Sequence, residues 1–206
     1  MNKNQLILQL EQQGFSRHII RAFEKVKRED FIPKNLKQYT YLNQPLPIEK
    51  DSTISQPTTI AFMLELLELD KLRRVASREP RFPRYSILEI GSGSGYVLEL
   101  INHILPSSKI WGIEINKNLV KKSRKILKED KNIKITKPEN LSEDKFDRIL
   151  ASASYKETPT NLLNQLKEQG VLVCPVKDSI FQFKKQNNKV IKKEFPGFIF
   201  VPIQKE

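Results

Sequence analysis

The stretch ILEIGSGSGYV, residues 87–97, joins a short apolar run to a helical pattern through a cluster of glycines. Glycine at positions 91, 93 and 95 lets the backbone turn sharply and lets a ligand come close to the main chain. The spacing is G-x-G-x-G after an acidic residue, whereas dinucleotide sites use G-x-G-x-x-G and place a pyrophosphate on the helix N-terminus. The motif therefore predicts a nucleotide-like ligand without phosphates, and a tight turn without any ligand is the alternative.

A second acidic residue follows the glycine cluster at the distance that a nucleoside site needs. KIWGIEI, residues 109–115, reads as the next strand and carries Glu114 near its end. Related folds place an acid roughly twenty residues beyond the glycines, where it accepts hydrogen bonds from ribose hydroxyls. The two features in this order favour a ligand over a simple turn.

From residue 86 onward, short apolar runs alternate with helical patterns. The predicted strands are SILEI, KIWGIE, NIKIT and DRILAS, and the predicted helices between them are GYVLELINHIL, NLVKKSRKILKE and TNLLNQLKE. This alternation predicts an α/β fold: a doubly wound, mostly parallel, seven-stranded-type sheet with helices on both faces. The strand-like runs GVLVCPV, SIFQFKK, KVIKKE and GFIFVPI, with NN and PG in their connections, predict antiparallel C-terminal strands.

Residues 1–70 are predicted to form a helical N-terminal extension, and residues 71–206 the α/β domain, in one compact unit overall. The first 45 residues read as helices, with Ser16 as the cap of the second. A third, apolar helix, PTTIAFMLELLELDKL, begins at Pro57, a residue type that suits a first helical turn. RRVASREPRFPRY, residues 73–85, predicts a surface loop because two prolines interrupt it.

The composition of the 206 residues, 38% hydrophobic and 29% charged, is that of a globular protein. No apolar stretch reaches the ~20 residues that span a bilayer, and the polar start MNKNQ has no apolar core of a secretion signal, so we expect a cytoplasmic chain with no membrane partner. The net charge of +12 would attract nucleic acid, but the lysines are scattered among acids and suit solvated faces. A nucleic-acid partner is therefore possible but not favoured, and we expect a monomer.

The rarer chemical side chains offer no second site. The single cysteine, Cys174, lies in an apolar run and predicts a buried, inert thiol. The two histidines have no cysteine or carboxylate at ligand spacing, so no metal site is predicted. After the fourth strand, small residues at positions 151–153 would leave room for a cofactor or would simply pack tightly.

The order of several motifs narrows the interpretation to one family. VKREDFIP, YTYLNQPLPI, STISQPTTIAFMLELLEL, ILEIGSGSGY and WGIEI together resemble the protein-L-isoaspartate O-methyltransferases, within the class I S-adenosylmethionine-dependent methyltransferases. The resemblance implies S-adenosylmethionine as cofactor and isoaspartyl-containing proteins or peptides as partners, methylated on the carboxylate. It implies Ser55 as the catalytic residue, and cofactor contacts by Thr53, Ile54, Ser55, Glu89, Gly91, Ser92, Gly93, Gly95, Glu114 and Ile115.

The chemistry of that reaction agrees with a segment rich in hydroxyls, DSTISQPTT, residues 51–59. A carboxylate is ionised at pH 7 and needs no general base before it attacks a methyl group. It needs alignment, which neutral donors such as Thr53 and Ser55 supply without pairing the nucleophile tightly with a cation. The alternative is that Ser55 only caps the helix that begins at Pro57, and both roles can hold at once.

The sequence departs from the family pattern where the adenine ring is recognised. The family has an Asp-Gly pair after the third strand, and ITKPENLSEDKF stands there instead. Glu139 or Asn140 is the candidate replacement, since either side chain can accept a hydrogen bond from an amine. A class I methyltransferase acting on RNA or a small molecule, and a descendant of the fold without catalytic activity, stay open as alternatives.

Overall fold

The structure, a computed structural model, describes residues 1–78, 85–140 and 145–203. Within these residues the α-helices are α1 Lys3–Gln12, α2 Arg17–Lys25, α3 Pro57–Leu66, α4 Leu69–Arg78, α5 Tyr96–Ile104, α6 Lys117–Ile126 and α7 Thr160–Asn164. The strands are β1 Leu46–Glu49, β2 Ser52–Ile54, β3 Ser86–Ile90, β4 Lys109–Ile113, β5 Ile133–Thr136, β6 Phe146–Ala151, β7 Leu166–Val176, β8 Ser179–Gln186 and β9 Lys189–Pro196. Short 3-10 helices lie at Arg28–Phe31, Lys34–Tyr39 and Pro138–Asn140.

Seven strands form one sheet in the order β5-β4-β3-β6-β7-β8-β9. The neighbours from β5 to β7 are parallel, and β8 and β9 add antiparallel pairs at one edge. This confirms the predicted α/β fold with antiparallel C-terminal strands. The chain moves outward from β3 through β4 to β5 and then returns to β6 on the other side of β3. Ligands of open α/β sheets bind at the carboxyl ends of the strands beside such a switch point.

Successive residues of β3 enter two different hydrophobic clusters, as the alternation of side chains along a strand requires. Ile87 belongs to the larger cluster, which also takes in the buried residues of α1, α2, α3 and α5, whereas Leu88 belongs to the smaller one. Among the described residues, the only helical members of the smaller cluster come from α7. Helices therefore lie on both faces, with most of the helical mass on one. Cys174 is fully buried in the smaller cluster, and burial raises the pKa of its thiol to about 12, so the prediction of a buried thiol is confirmed.

The N-terminal region is less helical than predicted. Helices α1 and α2 are present, but 3-10 turns and the antiparallel hairpin of β1 and β2 follow them. The position of Ser16 at the start of α2 is confirmed, but its predicted capping bond is wrong: its side chain caps no backbone N–H of the helix, and its hydroxyl donates to Glu65 at 2.7 Å. Ser16 thus connects α2 to α3. The domain boundary at residue 70 stays a prediction.

The predicted third helix divides in two, and the predicted loop after it is partly helical. Glu68, with φ of 54°, separates α3 from α4, and α4 then continues through residue 78. Leu, Arg and Ala favour helix, and Arg74 donates to Asp70 one turn earlier at 2.5 Å. The loop prediction is therefore wrong for residues 73–78, and residues 79–84, which include both prolines, lie outside the described part.

Two predictions about the C-terminal third need correction. Helix α7 ends at Asn164 with Gln165 as its C-cap, and the last three residues of TNLLNQLKE begin β7. GFIFVPI forms no strand: β9 ends at Pro196, and Gly197 has φ of 92°. Within the described residues the segment makes one isolated bridge, between Ser154 and Pro202. The proline and the left-handed glycine end the ladder, whereas Asn187 and Asn188, both with positive φ, form the predicted turn between β8 and β9.

Among the described residues, no helix is both long and apolar enough to cross a membrane.

Candidate active site

A cleft lies at the carboxyl ends of β3, β4 and β6 and consists of two adjoining pockets. The inner pocket is lined by Ile48, Thr53, Ile54, Ser55, Ile60, Met63, Glu89, Gly91, Ser92, Gly93, Ser94, Tyr96, Val97, Leu150 and Ser152. The outer pocket is lined by Asp51, Ser52, Thr53, Ile90, Gly91, Gly93, Ile113, Glu114, Ile115, Pro138, Ser152, Ala153, Val201, Pro202 and Ile203. Thr53, Gly91, Gly93 and Ser152 line both pockets, so the two form one continuous cleft. It occupies the position that the strand order assigns to a ligand.

The glycine loop has the backbone that its sequence predicts. Gly91, Gly93 and Gly95 all have positive φ, from 53° to 87°. A side chain at Gly93 would come within 3.3 Å of Ile48 and narrow the inner pocket. Gly95 lines neither pocket: its Cβ would lie 2.8 Å from Leu127, so it provides the close contact between α5 and the residue that follows α6. The structure thus places Gly91 and Gly93 at the cleft and Gly95 behind it.

Glu114 holds the glycine loop to the end of β4. Its side chain is 6% exposed; Oε2 accepts a hydrogen bond from the backbone nitrogen of Gly93, and Oε1 from that of Asn116, both at 2.8 Å. These two bonds fix the plane of the carboxylate at the wall of the outer pocket. A carboxylate has about four lone-pair positions, so two acceptor positions stay available to ribose hydroxyls. Ile115 lines the same pocket beside it.

Glu89, at the wall of the inner pocket, is almost completely buried. Its Oε1 accepts a 2.7 Å hydrogen bond from the hydroxyl of Ser152, and its Oε2 has no partner among the described residues. Burial raises the pKa of Glu89 to about 8; the Ser152 bond lowers it, and the charge of Glu114 raises it further. A buried acid with an unpaired oxygen destabilises the protein when no ligand is bound. It would be stabilised by a cationic ligand.

The charge of the cleft is opposite to the charge of the chain. The chain carries +12, yet the only acidic or basic residues in the described lining are the acids Asp51, Glu89 and Glu114. No lysine, arginine or histidine belongs to either described lining. A phosphate would be repelled there, whereas a ligand with a positive sulfonium and an ammonium group would be attracted. The acidic lining of the cleft therefore fits S-adenosylmethionine and disfavours a dinucleotide.

Part of the lining of the outer pocket is apolar, which suits a flat base. Pro138, Val201 and Ile203 contribute to it. Glu139 is not part of the lining and forms an ion pair with Lys137 at 3.1 Å. The side chain of Asn140 lies outside the described residues. Of the two candidates for the adenine amine, Glu139 is therefore not brought to the cleft, and sequence patterns gave no sign that the C-terminal segment would form this wall.

The hydroxyl segment reaches the cleft where β2 ends. Thr53, Ile54 and Ser55 all line the inner pocket, beside the glycine loop. The residue at the N-cap position of α3 is Gln56. Ser55 does not cap α3, and its hydroxyl has no hydrogen-bond partner among the described residues. The capping interpretation of Ser55 is wrong, because the bend into the helix occurs one residue later.

A different residue caps α3. Oδ1 of Asn43 accepts hydrogen bonds from the backbone nitrogen of Thr58 at 3.1 Å and from its hydroxyl at 2.8 Å. Asn43 precedes the helix by a whole hairpin, so no local capping pattern would have found it. The cap leaves the Ser55 hydroxyl unused by the helix and available at the cleft.

Comparison with known proteins agrees with this geometry. The family model for protein-L-isoaspartate(D-aspartate) O-methyltransferase matches residues 1–206. A protein-L-isoaspartate O-methyltransferase of Petrotoga mobilis is 37% identical over 208 aligned positions, which cover 95% of this chain and 91% of the relative. One from Methanopyrus kandleri is 31% identical over 98% of this chain and 90% of the relative.

A solved structure extends the likeness to three dimensions. A Plasmodium falciparum protein assigned to the protein-L-isoaspartate O-methyltransferases, in complex with S-adenosyl-L-homocysteine, superposes with a TM-score of 0.82 at 25% identity. The match covers 100% of both chains. With the family model matching the whole length and two relatives above 30% identity, the chain belongs to the protein-L-isoaspartate(D-aspartate) O-methyltransferase family.

Proposed function

We propose that this protein methylates the carboxylate of L-isoaspartyl residues in damaged proteins or peptides, with S-adenosylmethionine as methyl donor. The observation that carries the proposal is a cleft whose described lining has acidic but no basic side chains and which the residues 53–55 of the hydroxyl segment also line. The chain that contains it belongs to this family. The cleft supplies a place for a cationic nucleoside. The hydroxyl segment supplies neutral donors at its inner end.

The described residues divide between the parts of the cofactor. Glu114 and Ile115 would hold the ribose in the outer pocket, with the apolar wall at Pro138 and Val201 beside the base. Gly91, Ser92 and Gly93 would pass close to the methionine part, and Glu89 would face its positive charge. When bound, S-adenosylmethionine supplies an electrophilic methyl group on a positively charged sulfur.

The transfer needs no proton to move. An oxygen of the free carboxylate of the isoaspartyl residue would form a bond to the methyl carbon as the bond from that carbon to sulfur breaks, and the electron pair of the broken bond would stay on sulfur. The sulfonium becomes a neutral thioether and the carboxylate becomes a neutral methyl ester, so the charges cancel. No general base is required, which agrees with an inner pocket that has no histidine or lysine in its described lining.

The task left to the protein is alignment. The hydroxyls of Thr53 and Ser55 can donate hydrogen bonds to the acceptor carboxylate and hold one oxygen in line with the methyl carbon and sulfur. Neutral donors leave more negative charge on the attacking oxygen than a paired arginine would. Ser55 is the residue we assign to this contact, because its hydroxyl is otherwise unpartnered in the described structure.

The acidic charge of the cleft also affects which acceptor molecules the protein can bind. A polyanion such as RNA would meet only acidic charges there, so peptides with an isolated carboxylate are the acceptors that it favours. We extend the proposal to a monomer that acts in the cytoplasm, where an unpaired, buried Cys174 is stable.

The test of this function is the type of bond that the transferred methyl group forms. The protein is incubated with S-adenosylmethionine labelled in the methyl group and with an isoaspartyl peptide or an RNA pool. We expect label in the peptide fraction that mild base releases as methanol, because methyl esters hydrolyse there. Label that survives base, or label in RNA only, would overturn the proposal in favour of another acceptor.

A further inference from the structure

Arg28 is a completely buried cation beside the candidate active site, although it lines neither pocket. Its side chain is 0% exposed, and it begins the 3-10 helix Arg28–Phe31. Among the described residues it has no ion pair with a carboxylate. Burial lowers the pKa of its guanidinium, and Tyr96 and Tyr41 oppose that effect. Burying a guanidinium without a counter-ion is costly, so its contacts call for a reason beyond packing.

The guanidinium joins three separate parts of the chain. Nε donates to the carbonyl of Thr40 at 3.0 Å, and Nη2 donates to the carbonyl of Ser55 at 3.1 Å. The guanidinium carbon lies 5.3 Å from the centre of the Tyr96 ring. Tyr96 is the first residue of α5, directly after the glycine loop. Arg28 therefore connects the hydroxyl segment on the acceptor side to the helix that follows the cofactor loop.

The carbonyl of Ser55 accepts the Arg28 bond at a place where no helix or strand holds the backbone. It lies between the end of β2 at Ile54 and the start of α3 at Pro57, in no regular element. The rigid fork of a guanidinium can hold two carbonyls at a fixed separation, which the single ammonium of a lysine cannot do with the same geometry. A displacement of about 1 Å at a reacting group can cost on the order of a hundredfold in rate.

We propose that Arg28 is a positioning residue, which holds the Ser55 backbone at a fixed place relative to the glycine loop and so aligns the acceptor with the methyl donor. This inference rests on the proposed function of Ser55. It predicts an effect on turnover and on the order of the segment at residues 52–56, with little effect on cofactor binding.

The chain offers a matched control in Arg148. This arginine is also buried, at 4% exposed, and its Nε donates to the carbonyl of Leu67 at 2.6 Å. Its Nη1 donates to the carbonyls of Asp147 and Gln169. It lies in β6 and lines neither pocket. Arg148→Lys is thus the same substitution away from the cleft. It also removes a guanidinium that donates hydrogen bonds to several backbone carbonyls.

The experiment compares Arg28→Lys with Arg148→Lys in three measurements: affinity for S-adenosylhomocysteine, kcat and KM with an isoaspartyl peptide, and hydrogen exchange of the peptide spanning residues 52–56. For Arg28→Lys we expect affinity within about threefold of the parent, kcat lowered at least tenfold, and faster exchange at residues 52–56. For Arg148→Lys we expect a lower Tm with kcat within about twofold and unchanged exchange in that segment.

Two results would overturn the inference. Arg28→Lys could keep kcat and the exchange rate of the parent, or the two variants could lose activity only in proportion to their loss of Tm. If the parent protein itself transfers no methyl group to the isoaspartyl peptide, the proposed function fails, and the exchange measurement still decides whether Arg28 orders the segment. Unchanged exchange in Arg28→Lys would then refute the positioning role.

Discussion

The hydroxyl of Ser152 donates a 2.7 Å hydrogen bond to Oε1 of Glu89, and this bond crosses the switch point of the sheet. Ser152 directly follows β6 and Glu89 lies near the end of β3, which is the parallel neighbour of β6. The other oxygen of Glu89 has no partner among the described residues. The bond thus leaves one oxygen of a buried acid unpaired at the place where a cationic ligand would be bound.

The stability of the cofactor-free protein should depend on pH through Glu89. The pKa of Glu89 is raised from 4.5 to about 8, so the folded chain keeps a proton that the unfolded chain releases. The free energy of unfolding should therefore fall as pH rises from about 4.5 to about 8 and then level off. Glu89→Gln cannot ionise and lacks this dependence. The free energy of unfolding of Glu89→Gln minus that of the parent should increase between pH 4.5 and pH 8 by on the order of a few kcal/mol.

Urea unfolding of the parent and Glu89→Gln at pH 5 and pH 8.5 measures this difference directly. Ser152→Ala serves as the companion variant, because the Ser152 bond lowers the pKa of Glu89 and its loss should extend the window to higher pH. A gap between parent and Glu89→Gln that does not change with pH would mean that Glu89 is ionised throughout, contrary to its burial.

Glu114→Ala should weaken binding of S-adenosylhomocysteine. The substitution removes the acceptors for the backbone nitrogens of Gly93 and Asn116 as well as the proposed ribose contacts. We expect a loss of about 1 to 3 kcal/mol, or roughly fivefold to 150-fold in Kd, by calorimetric titration. Glu114→Gln, which keeps one acceptor oxygen, should lose less. Equal affinity of parent and Glu114→Ala would remove Glu114 from the cofactor site.

Ser55→Ala should spare cofactor binding and lower turnover. The Ser55 hydroxyl lines the inner pocket and is not used by α3, so its loss should change Tm little. Removal of one hydrogen bond to the acceptor should lower kcat by roughly tenfold or more, measured with an isoaspartyl peptide at saturating cofactor. A parallel loss of cofactor affinity and stability would instead assign Ser55 a structural role.

Asn43→Ala should have the opposite profile. Asn43 accepts hydrogen bonds from the backbone and hydroxyl of Thr58 in the first turn of α3. Loss of such a cap typically costs about 0.5 to 2 kcal/mol. Thermal unfolding of Asn43→Ala beside Ser55→Ala separates the two roles. If Ser55→Ala proves the less stable of the two, the assignment of the cap to Asn43 is incorrect.

The sequence predicts the parallel core well because its signals are local. The glycines after β3, the acid after β4 and the alternating apolar runs each depend on residues within one element. The structure gathers nine of the ten predicted cofactor residues in the cleft lining, the exception being Gly95. The left-handed φ of Gly95 is correctly indicated by its residue type, but its close neighbour Leu127 belongs to a later part of the chain.

What the sequence does not predict depends on contacts between distant segments. The capping of α3 by Asn43, the bond from Ser152 to Glu89 and the tie from Arg28 to Ser55 all join residues that no periodicity relates. Of these residues, Ser152 is the easiest to predict from sequence, because the strand order places the small residues after β6 beside the glycine loop. Arg28 reads from sequence as one more charge in a basic chain, and only its burial distinguishes it.

The most direct test of the account is methyl transfer to an isoaspartyl peptide measured beside its aspartyl twin, with the same residues around the linkage. We expect base-labile methylation of the isoaspartyl peptide and at least a hundredfold less of the aspartyl one, since only the displaced carboxylate reaches the methyl group in line. Equal methylation of both peptides, or of neither while S-adenosylhomocysteine still binds, would contradict it.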